Sequence, residues 1–193
     1  ATVVILGAGN VGRAAARMAL GAGAEVIVLD RDLSRLREVA SQNGYRIVTA
    51  LVNRYNLRKA LRFADVVLGA ILIKGEKTPH IVTEEMVMEM KPGSIVIDIS
   101  IDQGGCFETS RPTTLENPSF VRHNVIHYCV PNIPAVVARS ASYGLTNALL
   151  PYLTDMVRKG VEGAIAGNRG RAQGIYTHDG ICTNPSIARR YEL

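Results

Sequence analysis

Ala1-Thr2-Val3-Val4-Ile5-Leu6 runs without a gap into Gly7-Ala8-Gly9-Asn10-Val11-Gly12, and Arg13-Ala14-Ala15-Ala16-Arg17-Met18-Ala19-Leu20 follows. The first run is apolar and β-branched, as a buried strand requires. The last is rich in helix formers. Strand, G-x-G-x-x-G turn and helix therefore come in order. Gly7 lets the chain turn sharply, Gly9 lets the backbone approach a pyrophosphate, and Gly12 lets helix and strand pack closely. The helix N-terminus offers free N–H groups and the positive end of a dipole. Taken alone, the glycines fit an ordinary βα turn equally well. A second strand over residues 25–29 decides between the two, because it ends in Asp30, eighteen residues past Gly12. A carboxylate there accepts hydrogen bonds from an adenosine ribose, so the stretch points to dinucleotide binding.

Outward from this start the pattern keeps alternating. Leu33, Leu36, Val39 and Ala40 space a helix over residues 33–42, and Asn43-Gly44 ends it. Residues 45–51 read as a third strand, 53–63 as a helix, and 65–70 as a short apolar strand of the kind buried in parallel sheets. A loop over 71–80 contains Lys74, Gly75, Lys77 and Pro79. Thr83 caps a short helix through Met90, with Glu84 and Glu85 in its first turn, and Lys91-Pro92-Gly93 stops it. Residues 94–99 give a fifth strand and 124–130 a sixth, followed by a sharp turn at Pro131-Asn132-Ile133-Pro134. The fold class is α/β: a Rossmann-type doubly wound parallel sheet with a C-terminal long helix and tail. Residues 1–134 form the dinucleotide-binding domain. Residues 135–193 form a helical segment, a long helix to about residue 166 with a kink at Pro151, then a flexible basic loop over 167–171 and a tail from Ile175 too poor in apolar surface to fold alone.

Three loops belong at the carboxyl ends of the strands, where such sheets bind ligands: 7–12, 71–79 and 100–106. In the third, Asp102 stands just past a buried strand with Gly104-Gly105 behind it. It is either a carboxylate at the nicotinamide end of the ligand or the cap of a turn. His123 and His127 are four apart, which is not one face of a strand, and this favours internally satisfied or solvated histidines over metal ligands.

The totals limit the alternatives. The chain has 193 residues, 47% hydrophobic and 20% charged, an ordinary soluble globular balance. No window is long and apolar enough to span a bilayer, and no signal peptide is visible. A chain whose first residue opens a buried strand reads as the continuation of a longer polypeptide. Cys106, Cys129 and Cys182 are far apart with no CxxC, which implies a reducing, cytoplasmic setting, no disulfide framework and no zinc site. The net charge of +5 comes from scattered basic residues without aromatic interleaving, against a nucleic-acid partner and in favour of an anionic cofactor or an acidic partner domain.

The sequence resembles alanine dehydrogenase, within the wider family that includes the NAD-binding component of proton-translocating transhydrogenase. The resemblance is carried by Gly7–Gly12, Gly69-Ala70-Ile71-Leu72-Ile73, Met90-Lys91-Pro92-Gly93-Ser94 and, most specifically, Asp102-Gln103-Gly104-Gly105-Cys106 continuing into Glu108-Thr109-Ser110-Arg111-Pro112-Thr113. His127-Tyr128-Cys129-Val130 with Asn132 and Pro134, and Leu145-Thr146-Asn147-Ala148 with Leu150-Pro151-Tyr152, extend it over nearly the whole chain. It implies NAD as cofactor and reversible oxidative deamination of L-alanine to pyruvate and ammonium. By resemblance, Gly7, Gly9, Asn10, Val11 and Gly12 hold the pyrophosphate, Asp30 the ribose, and Arg35 lies near the adenosine. Ile71 and Leu72 line the nicotinamide ribose, Ile99 is a further cofactor-binding residue, Asn132 and Ile133 form the turn at the nicotinamide face, and Asp102 is the active-site acid. The family's lysine and histidine that handle the substrate belong to an N-terminal half; Lys74, Lys77 and His80 lie in the wrong segment to replace them. The implied partners are therefore that substrate-binding half, as domain or subunit, and further copies of the chain in a homo-oligomer. Ile133 stands where the family commonly has methionine, and Arg31 follows Asp30 where a small residue is usual. Arg31 could meet the 2′-phosphate of NADP, but Asp30 would repel it, which favours NAD. The rival readings are a stand-alone dinucleotide-binding or sensor domain and the NAD-binding part of a transhydrogenase-like protein.

Overall fold

β1 (Thr2–Leu6) lies in the interior of a seven-stranded sheet, and its side chains alternate between two cores. Val3 and Ile5 pack on one face with Val26, Val28, Leu36 and Val39; Val4 and Leu6 pack on the other with Leu29, Leu57, Leu61 and Val67. A strand apolar on both faces is what a sheet covered by helices on both sides demands. The computed structural model describes residues 1–73, 76–167 and 169–191.

The first compact unit ends at Asn132. It contains α1 (Asn10–Gly21), β2 (Glu25–Asp30), α2 (Leu33–Gln42), β3 (Val48–Leu51), α3 (Arg54–Phe63), β4 (Val66–Gly69), α4 (Glu84–Met88), β5 (Ile95–Asp98), β6 (Ser119–Arg122) and β7 (Val125–Tyr128). The strand order is β3-β2-β1-β4-β5-β7-β6. All pairs are parallel except β6·β7. The order reverses between β1 and β4, and the crevice outside their carboxyl ends is where a doubly wound sheet takes its ligand.

The structure departs from the sequence expectations in places. The third strand starts at Val48 rather than residue 45, because Tyr45 adopts a left-handed φ of 56°. The expected sixth strand shortens to β7 and gains an antiparallel partner, β6, that the pattern did not predict. Arg122 pairs with Val125 across a two-residue turn in which His123 and Asn124 have φ of 53° and 60°. Two positive φ values make the turn that suits a twisted hairpin, here without the glycine that usually announces it.

α3 and α4 are joined electrostatically, since Arg58 and Arg62 both bind Glu89. The Arg58 guanidinium holds the Glu89 carboxyl down to about 2 from an ordinary 4.5. A carboxyl depressed in the folded state contributes stability above its unfolded pKa and loses it as pH falls through the folded value. Acid titration should therefore erode this contribution between pH 4.5 and about 2. Glu89→Gln should flatten the dependence of thermal stability on pH in that window, with little change at neutral pH beyond the lost ion pairs.

The second unit is built on the long helix α5 (Ala138–Ala166), entered through a 3₁₀ turn, Ile133–Val137. Pro151 lies within this helix, and the backbone leaves helical geometry at Gly160 (φ 71°). The expected basic loop is instead partly helical, α6 (Arg169–Gln173), and Arg171 pairs with Asp155. A small hairpin, β8 (Thr177–His178) and β9 (Ile181–Cys182), precedes α7 (Pro185–Tyr191). Of the expected loop residues, Lys74, Gly75 and Asn168 lie outside the described residues, as do the last two positions of the tail. Among the described residues, no helix is long and apolar enough to cross a membrane.

Candidate functional site

The glycine turn is stitched to the sheet before anything binds to it. The Gly7 N–H donates to the Leu29 carbonyl at 2.7 Å and the Ala70 N–H to the Leu6 carbonyl at 2.8 Å. Gly12 presses so closely on the turn that a methyl group there would overlap the Gly7 carbonyl oxygen. A methyl on Gly9 would meet no protein atom within 4 Å. These two glycines thus serve different ends: one admits the helix, the other leaves space in front of it.

That space lies at an uncapped helix end. Asp32, Asn53 and Thr83 accept backbone N–H bonds at the starts of α2, α3 and α4, but at α1 the cap position is Gly9 and no side chain takes the first-turn N–H groups. These groups have no partner within the helix. Asn10 and Val11 are exposed there, the Asn10 side chain held by Arg13 at 3.0 Å. Bare N–H groups, a dipole end and an open approach over Gly9 fit a pyrophosphate.

Asp30 closes β2 and is buried. One carboxylate oxygen accepts the Ala8 N–H at 2.6 Å and the other the Asp32 N–H at 2.9 Å. The acid expected to receive the ribose is thus also the brace of the glycine turn; each oxygen keeps a second lone pair for a hydroxyl. Arg35 is exposed one turn into α2 and pairs with Asp32 at 3.5 Å. Asp30 braces the turn and is the acid expected to receive the ribose, so Asp30→Ala should weaken NADH binding by about 10- to 100-fold, the equivalent of one or two charge-assisted hydrogen bonds. Calorimetric titration of both forms reads this directly.

Across the crevice, Ile71 is half-buried and Leu72 is 65% exposed. The Ile71 N–H donates to the Ser100 hydroxyl at 2.9 Å, tying the loop after β4 to the loop after β5. The second loop begins as a 3₁₀ turn, Ile99–Gln103, with Ile99 half-buried at its start. The cap of this turn is Asp98, which accepts the Ser100 N–H. Asp102 is thus not the residue that caps this turn. Asp102 is exposed, and its carboxylate accepts the Asn132 N–H at 2.9 Å across thirty residues of sequence. Asn132 can offer that N–H because its φ is 53°. Ile133 opens the second unit.

Sequence reasoning missed Asp98. It is fully buried, and burial pushes its carboxyl up from the ordinary range against the opposing hydrogen bonds of Ser110, Cys106, Ser100 and Phe107. Cys106, also fully buried, points its thiol at Asp98 from 3.7 Å, and burial raises that thiol well above its ordinary value. An aspartate at the end of an apolar run looks like a solvent-facing terminus, and nothing local announces that loop 99–106 folds back over it.

The run from Glu108 to Thr113 serves the frame. Thr109 bonds His127 at 2.8 Å, Arg111 stacks on Phe120, and the Thr113 N–H donates to the Cys129 carbonyl. His127 is fully buried between Phe120 and these partners. Its Nδ1 meets the Val125 carbonyl at 3.0 Å, so Nδ1 carries the proton and Nε2 accepts from Thr109. Burial lowers its pKa below the ordinary imidazole range. His123 is held by Glu84 at 2.5 Å.

The family model for the alanine dehydrogenase/PNT C-terminal domain matches residues 1–185. The chain belongs to the alanine dehydrogenase/PNT C-terminal domain family. This is the NAD-binding domain of such proteins, in keeping with the uncapped α1 and its glycine turn. An alanine dehydrogenase of Mycolicibacterium smegmatis is 44% identical over all of this chain and 52% of its own length. A solved L-alanine dehydrogenase matches 99% of this chain and 53% of its own, with a TM-score of 0.87 and 34% identity. A transhydrogenase from Sinorhizobium meliloti follows with a TM-score of 0.76 and 26% identity over 96% of this chain and 50% of its own. The chain spans about half the length of the curated relatives it matches.

Proposed function

We propose that this chain is the NAD(H)-binding part of an alanine dehydrogenase, converting L-alanine, NAD⁺ and water to pyruvate, ammonium, NADH and a proton together with an N-terminal substrate-binding half. The observation that carries the reading is Asp102, an exposed carboxylate that accepts the Asn132 N–H in a loop at the carboxyl ends of the parallel strands, the end at which the glycine turn also lies. Gly7, Gly9, Asn10, Val11 and Gly12 hold the pyrophosphate, Asp30 the adenosine ribose with Arg35 near it, and Ile71, Leu72, Ile99, Asn132 and Ile133 surround the nicotinamide end. Bound NAD⁺ supplies the hydride acceptor. Asp102 faces the amino group as it passes through an iminium and a carbinolamine. Its negative charge stabilises their positive charge, and its oxygens orient the attacking water or, in reverse, ammonia.

The partners are the substrate-binding half and further copies of the chain. Exposed Leu149, Leu153 and Val157 on α5 supply apolar surface for association. Three free cysteines suit a reducing cytoplasm.

The test is to join or mix the chain with the N-terminal half of an alanine dehydrogenase and follow NADH oxidation with pyruvate and ammonium. Activity that requires both parts supports the reading. NADH binding without activity in any such combination would favour a sensor domain instead.

A further inference from the structure

Asp98 ends β5 fully buried, yet it forms no ion pair among the described residues. A buried carboxylate without a cation is costly, and an apolar residue would suit the sheet better. Its hydrogen bonds explain what it does there. Oδ1 accepts the Ser100 N–H at 3.1 Å and Oδ2 the Cys106 N–H at 3.0 Å, so one carboxylate grips both ends of the loop that presents Asp102. Between them Gly105, at φ 80°, passes so near that a Cβ would lie 2.7 Å from Oδ2. The loop wraps the acid with bare backbone. Ser100 passes the constraint on, because its hydroxyl accepts the Ile71 N–H at 2.9 Å.

We propose that Asp98 is a positioning residue for the nicotinamide side of the crevice: its carboxylate sets the place of Asp102 and, through Ser100, of Ile71. The inference rests on the NAD(H)-binding reading above. An asparagine would keep one acceptor but turn an NH₂ group toward an N–H donor, loosening one end of the loop while leaving the glycine turn and Asp30 untouched.

The experiment titrates wild type and Asp98→Asn, as the whole 193-residue chain, with NADH and with ADP-ribose, which lacks the nicotinamide. NADH affinity should fall about tenfold while ADP-ribose affinity stays within about twofold of wild type. Equal losses for both ligands would make Asp98 a plain fold residue, and unchanged NADH affinity would mean that the loop does not need it; either result overturns the proposal. If Asp98→Asn fails to fold, Ser100→Ala decides, since it keeps the buried acid and its bond from the Ser100 N–H but removes the hydroxyl that holds Ile71 and meets the Cys106 thiol. It should give a smaller loss selective for NADH, about threefold, and no loss would overturn the proposal. A folded wild-type chain that binds neither ligand would instead overturn the NAD(H) reading itself.

Discussion

Gly12→Ala should abolish measurable NADH binding and destabilise the chain, whereas Gly9→Ala should abolish binding and leave stability nearly unchanged. The contrast follows from what each new methyl would meet. At Gly12 it would overlap the Gly7 carbonyl oxygen, with Ile5 a further 3.4 Å contact. Both the turn and β1 are held by backbone bonds, so α1 must move off the sheet. Overpacking of this kind costs about 1–3 kcal/mol, and the displaced helix no longer aims its first-turn N–H groups at the phosphates. At Gly9 the methyl would meet no protein atom, so it would stand only in the way of the ligand. We expect at least a 100-fold loss of affinity in both variants, about 3 kcal/mol of binding. A lowered melting temperature is expected in Gly12→Ala alone. Gly21→Ala, in the same helix with open space around it, serves as the control and should bind NADH normally.

The second large effect is on turnover. In the enzyme assembled with its substrate-binding half, Asp102→Asn should lower kcat by about 10²- to 10⁴-fold, the range for removing a group that carries charge or protons in the transition state. The substitution is nearly isosteric, and the amide oxygen can still accept the Asn132 N–H. Melting temperature and NADH affinity of the isolated chain should therefore stay close to wild type. A variant that turns over normally would remove Asp102 from the chemistry, whereas one that also lost NADH binding would show that the carboxylate supports the cofactor instead.

How far the sequence could be read depended on whether a residue's partners are near it in the chain. The strand, turn and helix of residues 1–20 are local, and α2 was legible to its ends because its apolar spacing and Asn43-Gly44 are local signals. β6 was not legible, since the hairpin turn uses His123 and Asn124 rather than a glycine. The run around Thr109 and Arg111 was recognisable as a family mark but silent about its purpose. Its partners, His127 and Phe120, lie nine to eighteen residues away on the sheet edge. Asp98 was hidden for a related reason: the burial that makes it consequential comes from a loop folding back over it. Asp102 was visible as an acid in the right loop, and only the long-range bond to Asn132 separates it from a turn cap.

The most direct measurement is calorimetric titration of the 193-residue chain with NADH, with NADPH and Gly9→Ala as comparisons. The account predicts saturable binding of one NADH per chain, weaker binding of NADPH because Asp30 repels a 2′-phosphate, and no binding in a folded Gly9→Ala variant. A well-folded wild-type chain that takes up no NADH, or a Gly9→Ala variant that binds as well as wild type, would contradict it.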